Sequence, residues 1–147
     1  MPRQEYPFIR YEYDDGTVDE HGHTCLPIKI TNPKAGTSAI TWGLVDTGAD
    51  SSLFPATLAQ DLGHTLKGEG VKSSVTSGIE QTNVPTYKHT FRMDLLSWDL
   101  KKTVWSAGKI EIDCAESNPP VLIGVEDFLR KFRITIDYPK EKIILQW

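Results

Sequence analysis

Apolar and polar residues alternate along much of this chain with the two-residue period of β-strands. Leu26, Ile28 and Ile30 share one face of the segment Leu26–Thr31, which predicts a half-buried strand. Ala39–Val45 is apolar, aromatic and β-branched, and predicts a buried one. Val71–Val75, Thr86–Leu96, Thr103–Asp113, Arg133–Asp137 and Lys142–Trp147 are further strand candidates, and Phe8–Tyr13 alternates weakly. Asn32-Pro33-Lys34-Ala35-Gly36 and Tyr138-Pro139-Lys140-Glu141 carry turn chemistry. Two short helices are predicted. One covers Pro55–Leu62, with Pro at its first position and Gly63 just past its end. The other covers Val125–Lys131, after Gly124. Many short strands separated by turn signals predict an all-β fold, closed or sandwiched.

At 147 residues the chain has the length of one domain with a real core. Residues 1–25 are polar and acidic and are expected to be a partly ordered N-terminal arm. Residues 26–147 are expected to be the folded domain. The net charge is −4 and no run of Lys or Arg occurs, which argues against nucleic acid and anionic membrane as partners. No apolar segment approaches the roughly 20 residues that span a bilayer. The N-terminus carries no apolar signal core, so a cytoplasmic location is expected. Cys25 and Cys114 are too few for a disulfide framework and are expected as free thiols in a reducing compartment.

The chemistry concentrates in Val45-Asp46-Thr47-Gly48-Ala49-Asp50-Ser51-Ser52-Leu53. A carboxylate there lies in a short polar turn between two apolar stretches, close to backbone amides. Carboxylate hydrolysis of a peptide needs two such groups sharing one proton across a bound water. The chain has a single Asp-Thr-Gly and no Asp-Ser-Gly, so if this is the chemistry the second carboxylate must come from another chain. Three further stretches have suitable spacing. Val71–Val84 predicts a hairpin with Thr76-Ser77-Gly78 at its tip, able to close over a peptide. Val121-Leu122-Ile123-Gly124 predicts a core strand passing close under another turn. Phe132–Leu145 predicts a hairpin with no chemistry of its own. His21, His23 and Cys25 alternate as a metal site could, but no fourth ligand accompanies them, so neither metal nor cofactor is expected. His64 and His89 are expected as surface or packing residues. The four tryptophans are expected as core or interface aromatics, with Trp147 the one most suited to burial in a partner subunit.

Taken together, these residues resemble the retropepsin-like aspartic proteases over roughly Leu26 to Leu145. The resemblance rests on Leu44–Leu53 around Asp46-Thr47-Gly48, on the hairpin about Ser77-Gly78-Ile79, and on Val121–Gly124 before a helix. It implies an acid-protease half-barrel with a flap hairpin, working as a homodimer on an extended peptide or protein. It makes Asp46 the catalytic carboxylate, one from each subunit, and Thr47 the grip between subunits. Gly48, Ala49 and Asp50 would line the cleft and bind substrate backbone. Gly78 would sit at the flap tip, and Ser77, Gly78 and Ile79 would bind substrate from the flap. Leu122 and Ile123 would wall an apolar subsite or pack beneath the catalytic turn.

The chain departs from viral members in three places. Val125 stands where they often carry Arg, which leaves Asp50 without that charged partner. The hairpin has one Gly where many viral flaps have several. The chain continues through a full hairpin to Trp147, so a dimer interface must differ or use the last strand. An aspartic endopeptidase is therefore the leading expectation. A non-catalytic dimeric peptide-binding module of the same fold is the alternative. A third is a monomer that matures on assembly or on trimming before Leu26.

Overall fold

The strand periodicity of the sequence resolves into a closed ring. In this computed structural model, which describes residues 1–77 and 83–147, ten strands carry the fold. They are β1 (Arg3–Pro7), β2 (Cys25–Thr31), β3 (Ser38–Val45), β4 (Leu53–Pro55), β5 (Ser73–Ser77), β6 (Asn83–Leu96), β7 (Thr103–Ala115), β8 (Leu122–Ile123), β9 (Arg133–Asp137) and β10 (Lys142–Gln146). Hydrogen bonding follows the order β2-β3-β8-β4-β7-β6, and β6 pairs back onto β2 through Ile28↔Leu95 and Ile30↔Met93. Six strands thus close a barrel, and β5 extends it from the outer side of β6.

The alternation in β2 sets which face is interior. Leu26, Ile28 and Ile30 are fully buried and lie opposite Gly43, Thr41 and Ala39 of β3. Phe54, Phe91, Met93, Leu95, Ile112, Ile123 and Phe128 fill the same core. Each such side chain contributes about 1.5–3 kcal/mol by leaving water. Gly43 makes this filling possible. A Cβ there would meet Ile123 Cδ1 at 2.6 Å.

The N-terminal residues are integrated with the C-terminal ones. β1 and β9 flank β10 in a three-stranded antiparallel sheet. Tyr6 of β1 is fully buried and its hydroxyl donates to the Leu96 carbonyl at 2.8 Å, pinning this sheet to the end of β6. Residues 8–24 then make an excursion held by the bridges Ile9↔His23 and Glu12↔Val18 and by the Arg10–Glu141 ion pair. Trimming before Leu26 would therefore remove a core side chain and an edge strand. Trp147 packs edge-on against Phe132 of its own chain, at 5.5 Å between ring centres.

Two helical expectations need correction. The first helix, α1, is Ala56–Asp61, and Pro55 caps it from outside in an extended conformation instead of occupying its first turn. Over Val125–Lys131 there is no α-helix. Wide turns carry Leu129 N–H to the Gly124 carbonyl and Arg130 N–H to the Val125 carbonyl, followed by a short 3₁₀ turn, Leu129–Lys131. The cause is a tertiary tether at Asp127, described below. The strand expected from Val71 starts at Ser73, because Val71 N–H closes a turn on the Gly68 carbonyl.

His64 and His89 are packing residues. Their rings lie 4.7 Å apart, and each Nε2 faces a backbone carbonyl, of Thr90 and Leu66 respectively. Burial, then the His89 ring and Lys34, lowers the His64 pKa. A histidine with a lowered folded-state pKa holds its contribution above its unfolded value, about 6.5, and loses it as pH falls below that. Stability should therefore decline as pH drops from about 6.5, and His64→Phe should flatten that part of a urea-midpoint profile. Thr86 Oγ1 is, among the described residues, a buried side-chain oxygen with no partner. Thr86→Val should raise stability by about 1 kcal/mol in the same assay, since it removes a desolvated hydroxyl and keeps the shape.

Candidate active site

Asp46 follows the last residue of β3, and three backbone bonds fix the strand end beneath it. Leu44 N–H donates to the Val121 carbonyl (2.8 Å), Val45 N–H to Thr24 (2.8 Å) and Asp46 N–H to Ile123 (3.0 Å). The turn then closes on itself. Gly48 N–H donates to Asp46 Oδ1 at 3.0 Å, and Ala49 N–H to the Asp46 carbonyl at 3.2 Å. One carboxylate oxygen is thereby aimed by a main-chain amide. A Cβ at Gly48 would come within 3.3 Å of that oxygen. Asp46 and Ala49 are half-buried, while Thr47, Gly48 and Asp50 are exposed.

A second segment braces this turn from below. Val125 N–H donates to the Ala49 carbonyl (3.0 Å) and Glu126 N–H to the Asp50 carbonyl (2.7 Å). Ser52, almost fully buried, donates its N–H and its hydroxyl to the Asp127 carboxylate at 2.9 and 2.7 Å. The same hydroxyl accepts from Gly124 N–H at 2.9 Å. The segments cross so closely that a Cβ on Gly124 would lie 2.3 Å from the Ser51 carbonyl carbon. Only glycine fits there. Ser52 and Asp127 were not legible as site residues. Their one signal is a serine and an aspartate at fixed offsets after two turns, which gains meaning only once the segments cross.

Leu122 and Ile123 lie on opposite faces of β8. Ile123 pairs with Val45, faces the barrel interior and is fully buried, so it supports the turn and offers no surface to a substrate. Leu122 pairs with Leu44 and with Leu53, and all three are half-buried on the outer face. Asp46 follows Leu44 by two residues, so the same face leads to the carboxylate. Leu44 and Leu53 thus stand beside Leu122 on this face. The row continues from Leu53 to Asp113 of β7 and Lys88 of β6, whose side chains form an ion pair at 2.9 Å.

The base of the predicted flap is present as the β5–β6 ladder, which reaches Ser77↔Asn83. Gly78 and Ile79 lie outside the described residues. Asp50 has no side-chain hydrogen bond or ion pair among the described residues, and Val125 packs against the core instead. His23 Nε2 lies 2.8 Å from Asp19, and Cys25 is buried, its thiol pKa raised by desolvation. Cys114 is likewise a free, buried thiol, pushed up to about 12. Neither is a reactive thiolate.

No protein-family model matches the chain, and no curated protein matches it in sequence. Its structure is similar to that of a retropepsin-like aspartic protease from Rickettsia conorii. The TM-score is 0.55 at 20% identity, over 98% of this chain and 91% of the other. The chain has a retropepsin-like fold. That degree of identity carries the architecture and leaves the chemistry to the residues above. No helix among the described residues is long and apolar enough to cross a membrane.

The Ser52–Asp127–Gly124 brace predicts a measurable stability effect. Asp127→Ala strands the Ser52 N–H and hydroxyl and should cost about 2–4 kcal/mol in urea denaturation, whereas substitution of exposed Glu126 should cost under about 0.5.

Proposed function

We infer that this chain is an aspartic endopeptidase that builds its catalytic dyad from two identical copies. The observation that carries this reading is the Asp46 carboxylate, oriented by the Gly48 amide on a braced turn, with Thr47 and Gly48 exposed beside it. Each chain supplies one Asp-Thr-Gly. A two-fold contact through the exposed turn brings identical carboxylates together. Two like charges about 3 Å apart cannot both ionise, so the pair holds one proton between them. The ionised oxygen takes a proton from a bound water while the protonated partner polarises the peptide carbonyl. The pair, and neither residue alone, sets the pH profile, which is a bell with a mildly acidic optimum.

The other residues take supporting roles in this scheme. Thr47 reaches across the two-fold axis, and Gly48, Ala49 and Asp50 bind the backbone of an extended substrate. Leu44, Leu122 and Leu53 seat an apolar side chain. A flap carried on the β5–β6 ladder, which reaches Ser77↔Asn83, excludes water in this scheme. Free thiols at Cys25 and Cys114 suit the reducing conditions of a cytoplasm. The lack of a charged partner for Asp50 among the described residues supports the rival reading, a binding module that captures peptide without turnover.

A mixed peptide library separates the two. Wild type should cleave, with a specific rate that rises with protein concentration. Asp46→Asn should lose at least about a thousandfold in kcat/KM while remaining folded. Equal cleavage by both proteins removes the hydrolase reading, and tight capture of peptide that stays intact establishes the binding module.

A further inference from the structure

The outer face beside Asp46 does not end in aliphatic residues. Strand register places Leu44, Leu122, Leu53, Asp113 and Lys88 side by side across β3, β8, β4, β7 and β6. Neighbouring strands lie about 4.8 Å apart, so Asp113 begins one strand beyond Leu53. The Lys88 ammonium donates to Asp113 Oδ1 at 2.9 Å, and both side chains are partly withdrawn from solvent, at 34% and 20% exposure. Among the described residues Asp113 Oδ2 accepts no hydrogen bond, and Lys88 Nζ makes no other. The pair thus retains a free acceptor and two free donors. Glu111, two residues from Asp113 on the same face of β7, pairs with Lys72 at 3.7 Å, and Lys34 and Glu69 border the same surface depression as Lys88.

We propose that the Lys88–Asp113 pair ends the apolar wall as a subsite for a carboxamide side chain, glutamine or asparagine, of the substrate. This rests on the endopeptidase reading and names the substrate class for that site. A side chain whose stem lies on Leu122 and Leu53 brings its head to the ion pair. A carboxamide gives N–H to Asp113 and takes a hydrogen bond from Lys88 at once. A carboxylate head meets Asp113 unfavourably, and an ammonium head meets Lys88. A purely aliphatic head covers both ions and satisfies neither, which costs free energy in a desolvated place.

The test is cleavage-site profiling of a peptide library by the full-length chain, read by mass spectrometry. Wild type should favour Gln or Asn over Leu at one position near the scissile bond by roughly tenfold in kcat/KM. Asp113→Asn leaves Lys88 unopposed and should move the preference toward Glu. Lys88→Met should move it toward Lys and Arg. The double variant Lys88→Met with Asp113→Leu exchanges the ion pair for apolar contact, a change that folded proteins tolerate, and should favour Leu. Cleavage with no carboxamide preference, or with a profile identical in all four proteins, overturns the subsite and leaves the endopeptidase reading intact. Absence of cleavage by wild type overturns both.

Discussion

Everything about the site depends on the crossing at Gly124. There the chain after β8 passes under the Asp46 turn at a separation that leaves no room for a side chain. Ser52 turns that contact into a directional one. Its hydroxyl accepts from Gly124 and donates to Asp127, so a single buried oxygen ties the turn at two points to the segment that crosses it. A buried hydroxyl used in both directions costs little to desolvate and much to disrupt. The same tether accounts for the missing helix. An α-helix from Val125 would rotate Asp127 away from Ser52, and the segment instead follows wide turns that keep the carboxylate in reach. Tertiary hydrogen bonding here outweighs the modest local preference of a seven-residue stretch for helix.

The terminal sheet has consequences for assembly. β10 is its central strand, with β1 on one edge and β9 on the other. Its backbone groups are spent within the chain, so the last strand has no edge to lend to a second copy. The inner face carries Tyr6, Ile143 and Leu145, all fully buried. The outer face carries Glu5, Arg3 and Lys142, linked by ion pairs. A charged, self-paired face is a poor surface for close subunit packing. Under the endopeptidase reading, the exposed turn itself must therefore supply much of the contact between copies.

The fold was legible where burial on one face imposed a period. β2, β3, β9 and β10 follow from alternation or apolar runs, with ends within one residue. β1 was not, because four of its five residues look outward or to the edge and only Tyr6 is buried. β4 was not, because three residues carry no period and its place comes from pairing with β7 and β8. Within the site, the turn at Asp46-Thr47-Gly48 was legible because a short polar stretch between two apolar runs reads as a turn at a strand end. Asp127 was not, since an aspartate beside a glutamate looks like solvated surface until Ser52 is brought to it. The row from Leu44 to Lys88 was also invisible, as it draws on five strands whose register only folding defines.

That register is unbroken at the end of the barrel that carries Asp113. The β6–β7 ladder runs without interruption from Thr86↔Ala115 to Met93↔Gly108, and its irregularities fall at Met93/Asp94 and Leu95/Leu96. Gly108 takes a positive φ of 71° beside the first of these. Bulges add local twist and re-aim side chains, so placing them at the far end bends the strands without disturbing the pairs near Asp113. A one-residue slip between Thr86 and Met93 would turn Lys88 inward and drive Phe91 to the surface. Phe91, fully buried against Phe54 at 5.1 Å, prevents it. The same aromatic packing that closes the core thus sets which side chains stand in line with Asp46.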